Sequence, residues 1–422
     1  MMTLILFGSF ILFMVVRVPI GFALGLACLV TIFYSGSVSP EYLVQGLVTS
    51  ADSFPLMAIP FYILAGEVMG RGGISKRLFG FAKIFVGNIT GGLAIATVIT
   101  CIFFAAISGS GPATVAAIGG MVIPLMVQQG YDKKFATALI VCAGTIGVII
   151  PPSIPMVIYG ISASASIGSL FLSGIIPGLL VGALLVFYSY FYAKIHGYQK
   201  DDQKFSWKYV GKEFGSASWS LAMPVIILGG IYGGIFTPTE AAVVATVYGL
   251  IVGVFVYKEL KLKDLFSVFS NSALTTAIIL IITGTATFFG RILSIESIPT
   301  MVANAITSIS DNPIILLLII NLFLLFIGTF MDVIASIIIL TPILLPVAVE
   351  IGVDPVHFGI IMVVNLAIAL ITPPIGGTLF VGVGISRLSI WEVSKAAAPM
   401  FVLMVLALMV VTFLPQINVF LP

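Results

Sequence analysis

Apolar runs long enough to cross a bilayer follow one another along this 422-residue chain, and few folds survive that constraint. A membrane-crossing helix takes about 20 residues, whereas a barrel strand takes about ten and alternates polar with apolar side chains. The runs are of the first kind and do not alternate. With 60% hydrophobic residues, 8% charged residues and a mean hydropathy of +1.24, no soluble core could take up the apolar surface. The expected fold class is an all-α polytopic membrane protein. The opening MMTLILFGSFILFMVVR has neither a basic leader nor a small-residue cleavage site and is expected to remain as a membrane segment. Cys28, Cys101 and Cys142 stand alone in apolar runs, without metal-ligand or CxxC spacing, as core residues do. Nothing in the chain carries a nucleic-acid signature.

The long polar stretch HGYQKDDQKFSWKYVGKEFG, residues 196–215, divides the chain near its midpoint and invites a search for duplication. An offset of 222 sets Pro124 on Pro346, Pro151 on Pro373, Pro152 on Pro374 and Pro177 on Pro399. Gly130 falls on Gly352, Gly160 on Gly382 and Ser164 on Ser386 at the same offset. Proline dictates backbone geometry, so a matched set of prolines points to a repeated unit.

Loop charges orient the two copies, because short cytoplasmic loops collect Lys and Arg. Arg71, Lys76, Arg77 and Lys83 precede the SGSG stretch at 108–111, and Lys133 and Lys134 follow it. The matching flanks carry Glu296 and Asp311 before and Glu350 and Asp354 after, with no Lys or Arg from Ile292 through Ser386. Two copies with opposite flanks are inverted repeats, and a segment with both ends on one side is a re-entrant hairpin. The expected plan is repeat 1 over 1–196, with a hairpin at 91–128 and a broken helix at 135–165. A cytoplasmic linker follows at 197–216. Repeat 2 covers 217–422, with a hairpin at 313–349 and a broken helix at 358–386. Each half makes about five crossings, although residues 3–35 are long for one span and short for two.

Broken helices survive in hydrocarbon only where they are buried in protein or line a watery cavity. Four breaks form two matched pairs: the hairpin tips, at 108–111 and 328–332, and the Pro-Pro steps in GVIIPPSIP (147–155) and ALITPPIGGT (369–378). Proline removes an amide and bends the preceding residue out of helix, freeing carbonyls that suit a hard cation such as Na⁺. The half-helix after each break points its amides at the cavity, which suits an anionic group. Paired breaks in inverted halves are the pattern of a secondary transporter. Taken singly, the same strings are a tight turn and a structural kink. Asp332 is the acid at the second tip, either a functional intramembrane carboxylate or the N-cap of a helix starting at Val333, or both. Glu67 and Arg291 read as snorkelling at membrane edges, Glu240 as a first-turn acid, and His196 and His357 as loop-edge residues.

IPFYILAGEVM (59–69), AAISGSGPATVAAIG (105–119), GVIIPPS (147–153) and GGIFTPTEAA (233–242) resemble the large membrane (M) subunit of tripartite ATP-independent periplasmic (TRAP) transporters, nearly throughout the chain. The resemblance implies an elevator-type, Na⁺-driven importer in a bacterial inner membrane. It would take up organic acids such as sialic acid or C4-dicarboxylates, both of which stay open. The implied partners are a small four-helix membrane subunit (Q), expected as a separate chain, and a periplasmic solute-binding protein (P). Carried onto this chain, one Na⁺ site would use Ser108, Ser110, Gly147, Ile150 and Pro152. The related site would use Gly328, Thr329, Asp332, Ala369 and Thr372, with Gly376 and Thr378 close by. The solute's carboxylate would lie near Ser110, Ser153 and Asp332. The second tip has Thr329 and Asp332 where the first has serines, so the two sites need not be equal. Competing classes are a channel or exchanger that needs no binding protein, and an intramembrane protease, for which Asp332 has no evident acidic partner in the sequence.

Overall fold

The computed structural model describes residues 2–36, 39–198, 207–310 and 312–417. Every regular element among them is helical. Eight helices are long and apolar enough to span a membrane, and up to ten spans result if two bent helix pairs are each counted as one. Residues 3–35 form two helices, Met2–Val15 and Ile20–Ser35, which pack on each other across a break at Arg17 (φ 66°) and Pro19.

Each segment expected as a hairpin is a pair of helices joined by a short turn. Gly92–Ser108 and Gly111–Gln128 form the first, and Pro313–Phe330 and Val333–Glu350 the second. The first broken helix runs Lys133–Gly144, Ile146–Ile149 and, after a bend of 40°, Ile154–Ala163. The second runs Pro355–Ala369 and resumes at Gly377–Ser386. The Pro151–Pro152 and Pro373–Pro374 bonds are both cis.

Helix caps recur at the spacing of the prolines. Ser110 and Asp332 cap the returning arms of the hairpins, and Asp132 and Asp354 cap the broken helices. Gly130 and Gly352 turn the chain just before, at φ 85° and 86°. Beyond the breaks the frame moves by one residue. Ser153 aligns with Gly376, Ser164 (φ 53°) with Arg387 (φ 57°), and the N-cap Ser166 with Ser389. The second break carries one more residue, so the pairings of Gly160 with Gly382, Ser164 with Ser386 and Pro177 with Pro399 taken from the ungapped offset slip by one position.

Other boundaries depart from the sequence expectation. Of the linker expected at 197–216, residues 199–206 lie outside the described set, and 207–216 are the first turns of Trp207–Tyr232. Lys212 and its polar neighbours lower the hydropathy of those turns without breaking the helix. Leu262–Ile295 has 34 residues. At about 1.5 Å per residue it is roughly 50 Å long and outreaches the apolar layer unless tilted. Helices Pro40–Ala51, Ile74–Val86 and Ile298–Thr307 are too short to span and were not foreseen. Ile74–Val86 buries Ile74, Leu78 and Ala82 and carries Lys76, Arg77 and Lys83, the pattern of a helix lying along an interface.

Contacts gather the loops that the charge pattern assigned to one side. Arg77 meets Glu259 at 2.7 Å, Lys134 meets Glu392 at 3.1 Å, and the Tyr198 hydroxyl accepts from the Asp132 amide at 3.1 Å. Toward the other expected side, the Tyr159 hydroxyl donates to the Pro355 carbonyl at 2.6 Å.

Candidate functional site

At the first tip the helix ends at Ser108, turns through Gly109 at φ 60° and restarts at Gly111. The turn's polar atoms are tied locally. Ser108 Oγ lies 2.9 Å from Thr114 Oγ1, which donates to the Ser110 carbonyl at 2.8 Å, and the Ser110 hydroxyl accepts from the Ala113 amide at 3.4 Å. This tip docks on the first Pro-Pro break. The Ile154 amide donates to the Gly109 carbonyl at 3.4 Å, and a Cβ on Gly109 would stand 2.7 Å from the Pro152 carbonyl oxygen. Gly147 is as tightly held, since its Cβ would fall 2.7 Å from the Ser110 carbonyl oxygen.

The second tip is built likewise from different side chains. Asp332 caps Val333–Glu350, accepting the Ile334 amide at 2.9 Å. Gly328 lies so close to Ala369 that a Cβ would come within 2.4 Å of the alanine's own. The Thr329 carbonyl accepts the Ile375 amide at 3.1 Å, joining tip to break. Carbonyls before the second Pro-Pro find donors of their own. Ala369 accepts from the Thr372 hydroxyl at 2.6 Å and Leu370 from the Thr378 hydroxyl at 2.8 Å. In the first break the Ser153 hydroxyl does the same for the Val148 carbonyl. The carbonyls expected to be free are therefore re-paired by hydroxyls at several points. The Ala369 carbonyl also accepts the Thr372 amide at 3.0 Å, and the Leu370 carbonyl the Leu379 amide at 3.4 Å.

The two tips meet. A cavity of about 290 Å³ is walled by Ser108–Ala113 from the first tip, Asp332–Ile334 from the second, and Val148, Ile154, Pro155 and Leu370 from the breaks. Its remaining wall is Ile63, Gly66 and Glu67 of helix Ala58–Arg71, with Thr275 and Ile279 of helix Leu262–Ile295. Gly111 would touch Thr378 at 3.0 Å if it carried a Cβ, so the first tip also abuts the second restart.

Of the residues singled out from the sequence, Ser108, Ser110 and Asp332 share this cavity. Gly147, Ile150 and Pro152 sit buried behind the first tip, and Gly328, Thr329, Ala369, Thr372, Gly376 and Thr378 surround the second. Ser153 is not on the cavity wall. It is fully buried, with its hydroxyl donated to Val148 and accepting the Met156 amide at 3.4 Å. Glu67, expected as a snorkelling edge residue, lines the cavity and pairs with Arg71 at 2.8 Å. Asp332 thus has an acid facing the same space, which the sequence did not suggest. The legible trace of it was the i,i+4 spacing of Glu67 and Arg71, an ordinary helix pair. Glu240 is structural as expected, closing a capping box with Thr237.

The family described as "Tripartite ATP-independent periplasmic transporter, DctM component" matches residues 7–417. The chain belongs to the DctM family. It is 52% identical to the isethionate TRAP transporter permease protein DctMQ of Oleidesulfovibrio alaskensis over 99% of its own length, and spans 66% of that protein. It is 41% identical to the C4-dicarboxylate TRAP transporter large permease protein DctM of Pseudomonas aeruginosa, covering 95% of this chain and 93% of the relative. In fold it is similar to the YdaH transporter of Alcanivorax borkumensis, with a TM-score of 0.64 at 16% identity over 90% of this chain and 88% of that one. Within the DctM family, then, this multi-pass helical chain is a permease component, and its cavity between tips and breaks is the candidate transport site.

Proposed function

We propose that this chain is the large transmembrane subunit of a sodium-coupled secondary active importer of an organic acid, resident in a bacterial inner membrane. A periplasmic solute-binding protein delivers the acid and a small membrane subunit completes the permease. The observation that carries this reading is the convergence of a hydroxyl-bearing tip, Ser108 and Ser110, with an acid-bearing tip, Asp332, on one cavity. Sodium takes oxygen ligands, and the two tip-and-break junctions offer them at Ser108, Ser110, Gly147, Ile150 and Pro152, and at Gly328, Thr329, Asp332, Ala369 and Thr372. Bound cations offset the charges of Asp332 and Glu67 and make room for an anionic solute.

The halves are read as inverted repeats, supported by the matched caps and by the grouping of expected cytoplasmic loops. An elevator motion fits a cavity with hairpin tips on one wall and two plain helices, Ala58–Arg71 and Leu262–Ile295, on the other. The named relatives add isethionate to sialic acid and C4-dicarboxylates as candidate solutes. The test is co-reconstitution with the binding protein and small subunit in liposomes. Uptake should need an inward sodium gradient and the binding protein; uptake as fast in potassium overturns the coupling, and uptake without the binding protein favours a lone exchanger.

A further inference from the structure

A second cavity, of about 530 Å³, lies along the same helix as the first. Thr275 and Ile279 wall the first cavity, and Thr283, Thr287 and Arg291 wall the second, all at i+4 spacing on Leu262–Ile295. Sixteen residues of helix separate Thr275 from Arg291, roughly 24 Å of rise. The opposite walls are shared too. Val333–Glu350 lends Asp332 to the first cavity and Ile338 and Pro342 to the second, and Ile154–Ala163 lends Pro155 to the first and Ile161 to the second.

The cavities differ in charge. The first holds Asp332 and Glu67; the second holds Arg291 as its one charged side chain among the described residues. The hydroxyl protons of three residues lining the second, Thr283, Thr287 and Ser294, are committed to their own helix. Thr283 donates to the Ile279 carbonyl at 2.8 Å, Thr287 to Thr283 at 2.7 Å and Ser294 to Gly290 at 3.0 Å. These oxygens therefore present lone pairs to a ligand. A guanidinium beside acceptor-only hydroxyls matches a molecule with one acid group and a hydroxyl donor. A second carboxylate would find no second cation among the described lining residues and, besides the Ser162 hydroxyl, only lone pairs or the apolar wall of Leu56, Ile158 and Ile338.

Resting on the importer reading above, we infer that this cavity receives the solute before it reaches the hairpin tips, with Arg291 binding its acid group. It selects hydroxylated monoacids, carboxylic or sulfonic, over dicarboxylates. By the charge pattern, Arg291 lies toward the outward end of its helix, where a binding protein would release its cargo.

The test measures equilibrium binding of 2-hydroxyethanesulfonate, ethanesulfonate and succinate to the full chain in nanodiscs, alongside uptake by the reconstituted system. The wild type should bind the hydroxylated acid at least about tenfold more tightly than succinate. Arg291→Gln should weaken that binding about 10- to 100-fold, the range of a charge-assisted hydrogen bond, while Arg291→Lys keeps much of it. Ser294→Ala combined with Thr287→Val should narrow the preference for 2-hydroxyethanesulfonate over ethanesulfonate. Unchanged binding in Arg291→Gln, or succinate binding as tightly, overturns the inference. So does an Arg291→Gln effect that appears only with anionic lipid, since the arginine then holds a headgroup. A wild type that binds by this pattern but transports nothing refutes the importer and keeps the site; a wild type that transports but ignores Arg291→Gln does the reverse.

Discussion

Asp332 carries two roles that substitution can separate. Its carboxylate caps the helix that follows and also faces the cavity. Asparagine caps as well as aspartate, so Asp332→Asn should leave thermal stability nearly unchanged, within about 0.5 kcal/mol, while raising half-saturating sodium about tenfold or more. Asp332→Ala should lose the cap as well, at about 1 kcal/mol. Equal sodium dependence in wild type and Asp332→Asn would leave the residue a cap alone. Gly109 offers a steric counterpart. Its φ of 60° and the Pro152 oxygen 2.7 Å from a would-be Cβ exclude any side chain. Gly109→Ala should cost about 1–2 kcal/mol from the left-handed backbone alone and abolish uptake by lifting the tip off the break.

At the scale of elements, the breaks persist because hydroxyls replace the helix bonds that proline removes. Ser153 caps Ile154–Ala163 and holds the Val148 carbonyl within a fully buried setting. Ser153→Ala should therefore destabilise the chain by about 1–3 kcal/mol, the cost of an orphaned buried group, measured by thermal unfolding in detergent. Thr237→Ala removes a comparable cap from Pro238–Ile251, a helix that does not line the cavity. It should cost about 1 kcal/mol and leave sodium dependence untouched. If both variants shift sodium dependence alike, the breaks have no special part in ion binding.

For the whole molecule, the proposed inverted repeat demands opposite exposure of the matched caps. Asp132 and Asp354 cap equivalent helices, and their neighbours Lys133 and Glu350 belong to flanks of opposite charge. Single cysteines replacing Lys133 and Asp354, in a background with Cys28, Cys101 and Cys142 replaced, should react with an impermeant thiol reagent from opposite faces of oriented vesicles. Labelling from one face would end the inverted-repeat reading.

Much of this was legible in the sequence. Proline and glycine act on the backbone wherever they stand, so the hairpin tips, both Pro-Pro breaks and the Asp332 cap could be located from one chain, as could the membrane class from hydropathy. Helix ends masked by polar first turns, as at 207–216, could not, because hydropathy reports burial in lipid rather than helicity. Which side chains share a space depends on how helices distant in sequence pack. The tertiary structure alone put Glu67 beside the tips, withdrew Ser153 behind them, and aligned Thr283, Thr287 and Arg291 on a second cavity.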